Sequence, residues 1–249
     1  MTSTSDEIPP SARDDGRAIA GADGCKTGWI CIFEELPSRR LGSKIFRTVS
    51  ELLAVAPELQ LLAIDIPIGL TDSGPRACDV AARKRLGPKR GTSVFPAPIR
   101  PALAATSYAE ACEISFGVQQ RKLSKQGWEI YDKIRELDDL LRRRPELRER
   151  VYEIHPEVTF AEWAGAPIVK PKRKHPGFAV RHALVAQHFG ADAFQTVRDR
   201  YTRKDVANDD ILDAFAALWT AERIAAGTSR TLPPDPPLDS AGLPMRIVT

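Results

Sequence analysis

The chain has few of the features that would place it quickly. It has only four cysteines, at positions 25, 31, 78 and 112, in 249 residues. No two stand at Cys-x-x-Cys spacing and no histidine follows at zinc-finger distance, so a zinc ribbon or finger is excluded. Free thiols in a reducing compartment are the expectation. Aromatic residues make up 7% of the chain, and no apolar run is long enough to cross a bilayer. The first seventeen residues are polar and lack the apolar stretch of a secretory signal. We therefore expect a cytoplasmic protein with no membrane contact and a disordered tail over residues 1–17. There is also little charge excess. A formal net charge of +3 excludes a strongly cationic nucleic-acid coat, although local basic clusters remain. No internal repeat is found, and 43% hydrophobic residues suffice for one good core.

Apolar runs come early and close together. Strands are predicted over Ala18–Ala22, Trp29–Glu34 and Ser43–Val49, joined by links carrying Gly24, Gly28, Pro37 and Gly42. Ser50 is the expected cap of a short helix running to Val55. Leu61–Ile66 is continuously apolar, as a central strand covered on both faces should be. A mostly helical insertion follows, over about residues 75–150. It holds a helix at Arg76–Leu86, a Gly/Pro-rich loop at Gly87–Pro101 and a helix at Lys125–Arg144. A brief strand at Val151–Ile154, a short helical piece at Val158–Ala164 and helices at Gly177–Gly190 and Ala207–Gly227 complete a domain over 18–227. Residues 228–249 contain Pro233, Pro234, Pro236 and Pro237 and read as a tail extended over the surface. The order β-β-β-α-β, insertion, β, then helices gives an α/β protein. Its sheet is mixed and five-stranded, flanked by helices, as in the ribonuclease H-like fold.

Four acids stand out against this pattern. Asp23 closes the first apolar run, in Ala-Ile-Ala-Gly-Ala-Asp-Gly-Cys-Lys-Thr-Gly-Trp. Asp-Gly is also an ordinary turn signal, and Cys25 before Lys26 breaks the Walker A pattern. Asp65 lies inside Leu-Leu-Ala-Ile-Asp-Ile-Pro-Ile-Gly-Leu, where a turn aspartate would be out of place. Asp210 and Asp213 are one helical turn apart and share a face, beside the small residues Ala214 and Ala217. Asp209 serves the helix dipole. Carboxylates beside apolar strands are costly unless they are paired or bind a cation. A group of them suits Mg²⁺ or Mn²⁺, which prefer oxygen ligands. Glu153 and His155, in Val-Tyr-Glu-Ile-His-Pro-Glu-Val, add a further candidate ligand and a phosphate contact or proton shuttle, while Glu157 is a helix cap. In the aperiodic loop after α-helical Arg76–Leu86, Lys89, Arg90, Ser93 and Arg100 are candidates to hold phosphate, with Phe95 stacking on a base. The runs at Arg142–Arg144 and at Lys170, Lys172, Arg173 and Lys174 read as solvated helix ends or faces.

Six of these segments, in this order, resemble the family called domain of unknown function 429. They are Gly21–Trp29, Ile64–Leu70, Arg76–Arg83 with Asp79, Ser93–Pro98, Glu153–Glu157 and Asp209–Ala214. That family is described as a predicted nuclease with a ribonuclease H-like fold. The acid layout is also similar to that of Holliday-junction resolvases of the RuvC type. Their first-strand Asp, fourth-strand acid and Asp-x-x-Asp-Ala helix correspond to Asp23, Asp65, Asp210 and Asp213. The fourth-strand acid is Asp65 here and Glu in the resolvases. The resemblance implies a two-metal nuclease acting on DNA or RNA, with Asp23, Asp65, Asp210 and Asp213 as metal ligands. Two other classes stay open. One is a phosphotransferase of the actin-like fold using Asp23, Gly24 and Thr27 on Mg-ATP. The other is a nucleic-acid-binding module without catalysis.

Overall fold

The computed structural model describes residues 17–55 and 59–249. Most of the expected N-terminal tail therefore lies outside the described residues. Three strands open the fold: β1 (Arg17–Cys25), β2 (Gly28–Leu36) and β3 (Leu41–Phe46). They form an antiparallel meander, and a two-residue turn at Lys26 and Thr27 joins the first pair. Helix α1 (Val49–Val55) leads to β4 (Leu59–Ile64), which lies parallel to β1. The insertion then runs through α2 (Ala77–Leu86), α3 (Tyr108–Gln119), α4 (Lys125–Glu129) and α5 (Tyr131–Arg143). The chain re-enters the sheet as β5 (Val151–Glu153), parallel to β4. Helices α6 (Pro156–Trp163), α7 (His175–Phe189), α8 (Ala193–Arg198) and α9 (Asn208–Ala225) follow. The strand order β3-β2-β1-β4-β5, with helices on both faces and a helical insertion between β4 and β5, is the ribonuclease H-like topology.

Strand alternation sends two sets of side chains to two cores. Ala20, Ala22, Leu62 and Ile64 meet Leu52 of α1 and Ile134, Leu137 and Leu141 of α5. Ile19, Leu61 and Ala63 meet Phe215 and Leu218 of α9 on the opposite face. Both faces are covered, which explains why β1 and β4 read as unbroken apolar runs. The other consequence of alternation is functional. Residues 19, 21 and 23 share the α9 face of β1, so Asp23 points toward that helix.

Sheet and helix pack without an intervening side chain at Gly21. A Cβ there would lie 2.0 Å from the Leu218 nitrogen, 2.4 Å from the Ala214 oxygen and 2.6 Å from the Ala217 carbonyl carbon. Backbone thus rests on backbone, permitted by the small residues at 214 and 217. Helix α9 is held here at the distance that brings Asp213 to the strand ends.

Several local readings are corrected. Thr48, not Ser50, starts α1, since its hydroxyl accepts from the Glu51 amide at 3.0 Å. That ends β3 at Phe46, short of Val49. Strand β4 stops at Ile64 because the Ile66 amide turns back onto the Ile64 carbonyl at 3.1 Å. The single helix expected over Lys125–Arg144 is two, broken at Ile130, which ends α4 and begins α5. Helix α8 is an element that the apolar pattern did not reveal. The C-terminal segment does not simply lie extended on the surface. It pairs β6 (Thr231–Leu232) with β7 (Ile247–Val248) and buries Leu243, Met245 and Ile247. Asp239 anchors it by accepting from the Leu70 amide at 2.8 Å. Among the described residues no helix is long and apolar enough to cross a membrane.

A Gly21→Ala substitution tests the close approach. Because the obstructing atoms are backbone, relief requires α9 to move, at a cost of about 3 kcal/mol or more. At this chain size that is a fall in melting temperature of about 6–12 °C. A thermal melt by circular dichroism within 2 °C of the parent would contradict the packing described.

Candidate metal and phosphate site

The carboxyl ends of β1, β4 and β5 open into a cavity of about 380 Å³. Ligands gather at such strand ends in open α/β sheets. Asp23 and Asp65 reach it from neighbouring parallel strands, and the Asp65 amide donates to the Ala22 carbonyl at 3.0 Å. The β1 strand continues to Cys25, so Asp23 sits inside the strand, opposite Ile30, rather than at its end. Asp213 comes from α9 and is 1% exposed. Its Oδ2 is bonded by the Lys172 ammonium, and its Oδ1 is buried without a partner.

The electrostatics of this group are out of balance. Burial, then the charges of Asp65 and Asp213, push the Asp23 carboxyl well above its ordinary range. Burial and Asp213 push Asp65 to about 8, against the pull of Lys172. Burial raises Asp213 to about 6, again opposed by Lys172. Burial alone would lower the Lys172 ammonium, but Asp213, Asp23 and Asp65 outweigh it and keep it charged. One lysine does not neutralise three buried carboxylates. Asp23 and Asp65 lie close enough to share a hydrogen bond, and so a proton.

Lys172, one charge of a basic cluster expected on a solvated face, is turned inward. Two features fix it there. Gly177 at the start of α7 allows the 170–171 backbone to approach, since a Cβ there would meet the Pro171 oxygen at 2.1 Å. The fully buried Arg181 then donates to the Lys170 carbonyl at 3.2 Å and to Glu157 at 2.6 Å. The prolines at 167, 171 and 176 and the Gly177 start were the visible signals of a fixed loop.

The α9 acids divide differently from expectation. Asp210 turns back on its own helix, where Oδ2 accepts from the Ala207 amide at 2.8 Å, and it does not line the cavity. Asp209 faces the Lys172 side: Arg173 donates to it at 2.9 Å, and Lys172 lies 4.0 Å away. Burial would raise Asp209, but Arg173 and Lys172 outweigh that and hold it low. The helix thus presents residues 209 and 213, four apart, to one side.

Glu153 reaches the cavity from the opposite face of the sheet. Both its oxygens accept from buried Arg76 at 2.7 Å, and the Ile68 amide donates at 2.7 Å. Arg76 also binds Asp79 at 2.6 Å. Burial raises Glu153 to about 7 in spite of Arg76. One ligand atom each from Cys78, Asp79 and Glu153 lie within 4.8 Å of one another, close enough to chelate a divalent metal. The Arg76 guanidinium already bridges the two acids, and burial pushes the Cys78 thiol far up, which keeps it protonated. An ion there must displace Arg76. The Asp23, Asp65 and Asp213 group has no such occupant beyond one lysine, and its donors are all hard oxygens.

His155 lines the cavity with its Nε2 at 3.3 Å from the Ser93 carbonyl. Burial lowers its pKa, so the ring is neutral, and its Nδ1 has no partner. Glu157 is not free to cap: Arg90 at 2.7 Å and Arg181 at 2.6 Å share its Oε2. Of the loop residues, Arg90, Ser93 and Phe95 line the cavity. Lys89 is exposed and outside it. Arg100 is bound by Asp138 and Asp239 and lines a different cavity. Sequence reasoning missed Lys133, which lines the site from α5 with its ammonium over the Trp29 ring at 5.1 Å. All four cysteines are buried free thiols.

The family model described as "Protein of unknown function (DUF429)" matches residues 21–238. The chain belongs to this family. The match takes in every DUF429-like segment of the site, from Gly21 through Asp213. No curated protein and no solved structure matches the chain.

The raised pKa of Asp65 has a direct consequence for this DUF429 protein. Between the ordinary carboxyl value of 3.8 and about 8, the folded state holds a proton that the unfolded state has lost. Stability therefore falls as pH rises through that window. Asparagine keeps the neutral form at every pH. In EDTA, Asp65→Asn should melt several degrees above the parent at pH 7.5, each kcal/mol being worth about 2–4 °C. The difference should vanish toward pH 4. A variant less stable than the parent at pH 7.5 would refute the charge conflict.

Proposed function

We propose that this chain is a metal-dependent nuclease that hydrolyses phosphodiester bonds of DNA or RNA. The reading is carried by one observation: Asp23 and Asp65 line one cavity, and the buried Asp213 behind Lys172 is electrostatically coupled to both, with a deficit of positive charge. Three carboxylates, one of them with an unpartnered oxygen, suit Mg²⁺ or Mn²⁺. Asp23, Asp65 and Asp213 would hold the ions, with Asp210 one turn away at the head of α9. Such ions, when bound, lower the pKa of an attacking water and offset charge on the leaving oxygen.

The remaining work belongs to the protein's own groups. Lys172 holds Asp213 against the strand ends and offsets part of the acid charge. Lys133, with no carboxylate partner among the described residues, offers an ammonium to a substrate phosphate from the opposite wall. His155 is neutral and accepts a proton at Nδ1. Phe95 gives a stacking surface for a base, and Ser93 and Arg90 border the same wall. Arg76 fixes Glu153 and, through the Ile68 and Gly69 carbonyls, the turn after Asp65.

Labelled single-stranded, duplex and branched DNA and RNA, incubated with the protein in Mn²⁺, test this directly. Cleavage is expected, is abolished by EDTA and falls at least about 100-fold in Asp65→Asn. Lys172→Met should also slow cleavage while lowering the melting temperature in EDTA, since it leaves Asp213 buried and unpaired. Cleavage unaffected by Asp65→Asn would sink the reading. So would no cleavage of any substrate combined with ATP binding.

A further inference from the structure

We propose that a second cavity, formed on the helical insertion, is a binding site for a phosphate group. It measures about 720 Å³, within the size range of small-molecule sites. Arg100, Arg135, Arg142 and Arg148 line it, against Asp138 and Asp139. Helix α5 supplies Lys133 to the acid cavity and Arg135, Asp138 and Arg142 to this one, so the two lie on different sides of the same helix.

The acids of this cavity are shared unevenly among its arginines, and Arg100 takes most of them. Asp138 accepts from both terminal nitrogens of Arg100, at 3.0 and 2.9 Å. Asp239 binds Arg100 as well, which locks that guanidinium into the wall. Arg142 reaches Asp138 and Asp139 only at 3.7 and 3.9 Å, with its side chain 52% exposed. Arg135 pairs with Asp132, whose side chain is 86% exposed, and a solvated pair of that kind holds little energy. Arg148 is tethered through Nε to the Leu141 carbonyl at 2.9 Å and has no carboxylate partner among the described residues. The tether aims the guanidinium and leaves its charge uncompensated.

The tethered, uncompensated Arg148 and the loosely paired Arg142 offer guanidinium forks that match the oxygens of phosphate. Arg100, which the sequence suggested for phosphate binding, is saturated by Asp138 and Asp239, so it shapes the wall and the phosphate contacts fall to Arg142 and Arg148. The inference does not depend on nuclease activity. The phosphate belongs either to a free mononucleotide-sized molecule or to the end or backbone of a nucleic-acid strand.

The test is calorimetric titration of the full chain in EDTA with inorganic phosphate, a nucleoside 5′-monophosphate, the nucleoside itself and a 5′-phosphorylated oligonucleotide. The phosphorylated probes should bind and the nucleoside should not. Arg142→Gln with Arg148→Gln should weaken binding at least about tenfold, a change of about 1.4 kcal/mol. Asp65→Asn should leave it within about twofold. If the double variant fails to fold, Arg142→Gln alone, on an exposed side chain, gives the same comparison. Tighter binding of the oligonucleotide than of the mononucleotide assigns the site to a strand; equal binding assigns it to a free metabolite. Unchanged affinity in the arginine variants, loss in Asp65→Asn instead, or no binding of any phosphorylated probe by about 10 mM overturns the proposal.

Discussion

The contact between β1 and α9 at Gly21 is the constraint on which the rest depends. Side chains normally hold a helix about 10 Å from a sheet. Here two backbones touch, and the small residues at 214 and 217 make this possible. The gain is positional. Asp213 from the last helix and Asp23 from the first strand, separated by most of the chain, come near enough for their charges to act on each other. A longer acid would be needed if the helix stood further off.

The same closeness creates an electrostatic problem that the fold resolves only in part. Burial lifts Asp23, Asp65 and Asp213 out of the ordinary carboxylate range, neighbouring acids add to it, and Lys172 opposes the effect without removing it. A few residues away, Arg76 shows what a resolved version looks like. It is buried, takes both oxygens of Glu153 and both of Asp79, and leaves neither acid exposed. A neutralised pair and an incompletely neutralised trio thus stand side by side at the strand ends. Strain of this kind at strand ends is a mark of sites built for charged ligands.

Much of this was legible in the chain. Alternation and continuous apolar runs reveal the five strands and their order, because both sheet faces are buried. Asp65 betrays itself by standing in an apolar run, and Ala214 with Ala217 announces the close helix. What stayed hidden has physical reasons. The partition of the α9 acids depends on which one the helix N-terminus consumes, and Asp210 rather than Asp209 takes that task. Lys172 was invisible because a charge in a basic run points outward or inward according to loop geometry, here set by Gly177 and Arg181. Arg100 was assigned to the wrong cavity since its partner Asp239 lies 139 residues away. The same distance hid the buried role of the C-terminal segment.

That segment also governs when the molecule becomes whole. Asp239 ties the Leu70 amide across a separation of 169 residues, and Asp213 meets strands made long before it. Contacts that distant form late in folding, after the local meander and helices. During synthesis the first strands emerge with Asp23 and Asp65 still solvated and ionised, and no cavity exists around them. Asp213 joins the strand-end acids only as the last helix docks, so the energy of the nearly complete fold is what brings it beside them. A nascent chain therefore carries an open and uncommitted cluster of acids, and the assembled cavity is a property of the finished molecule alone.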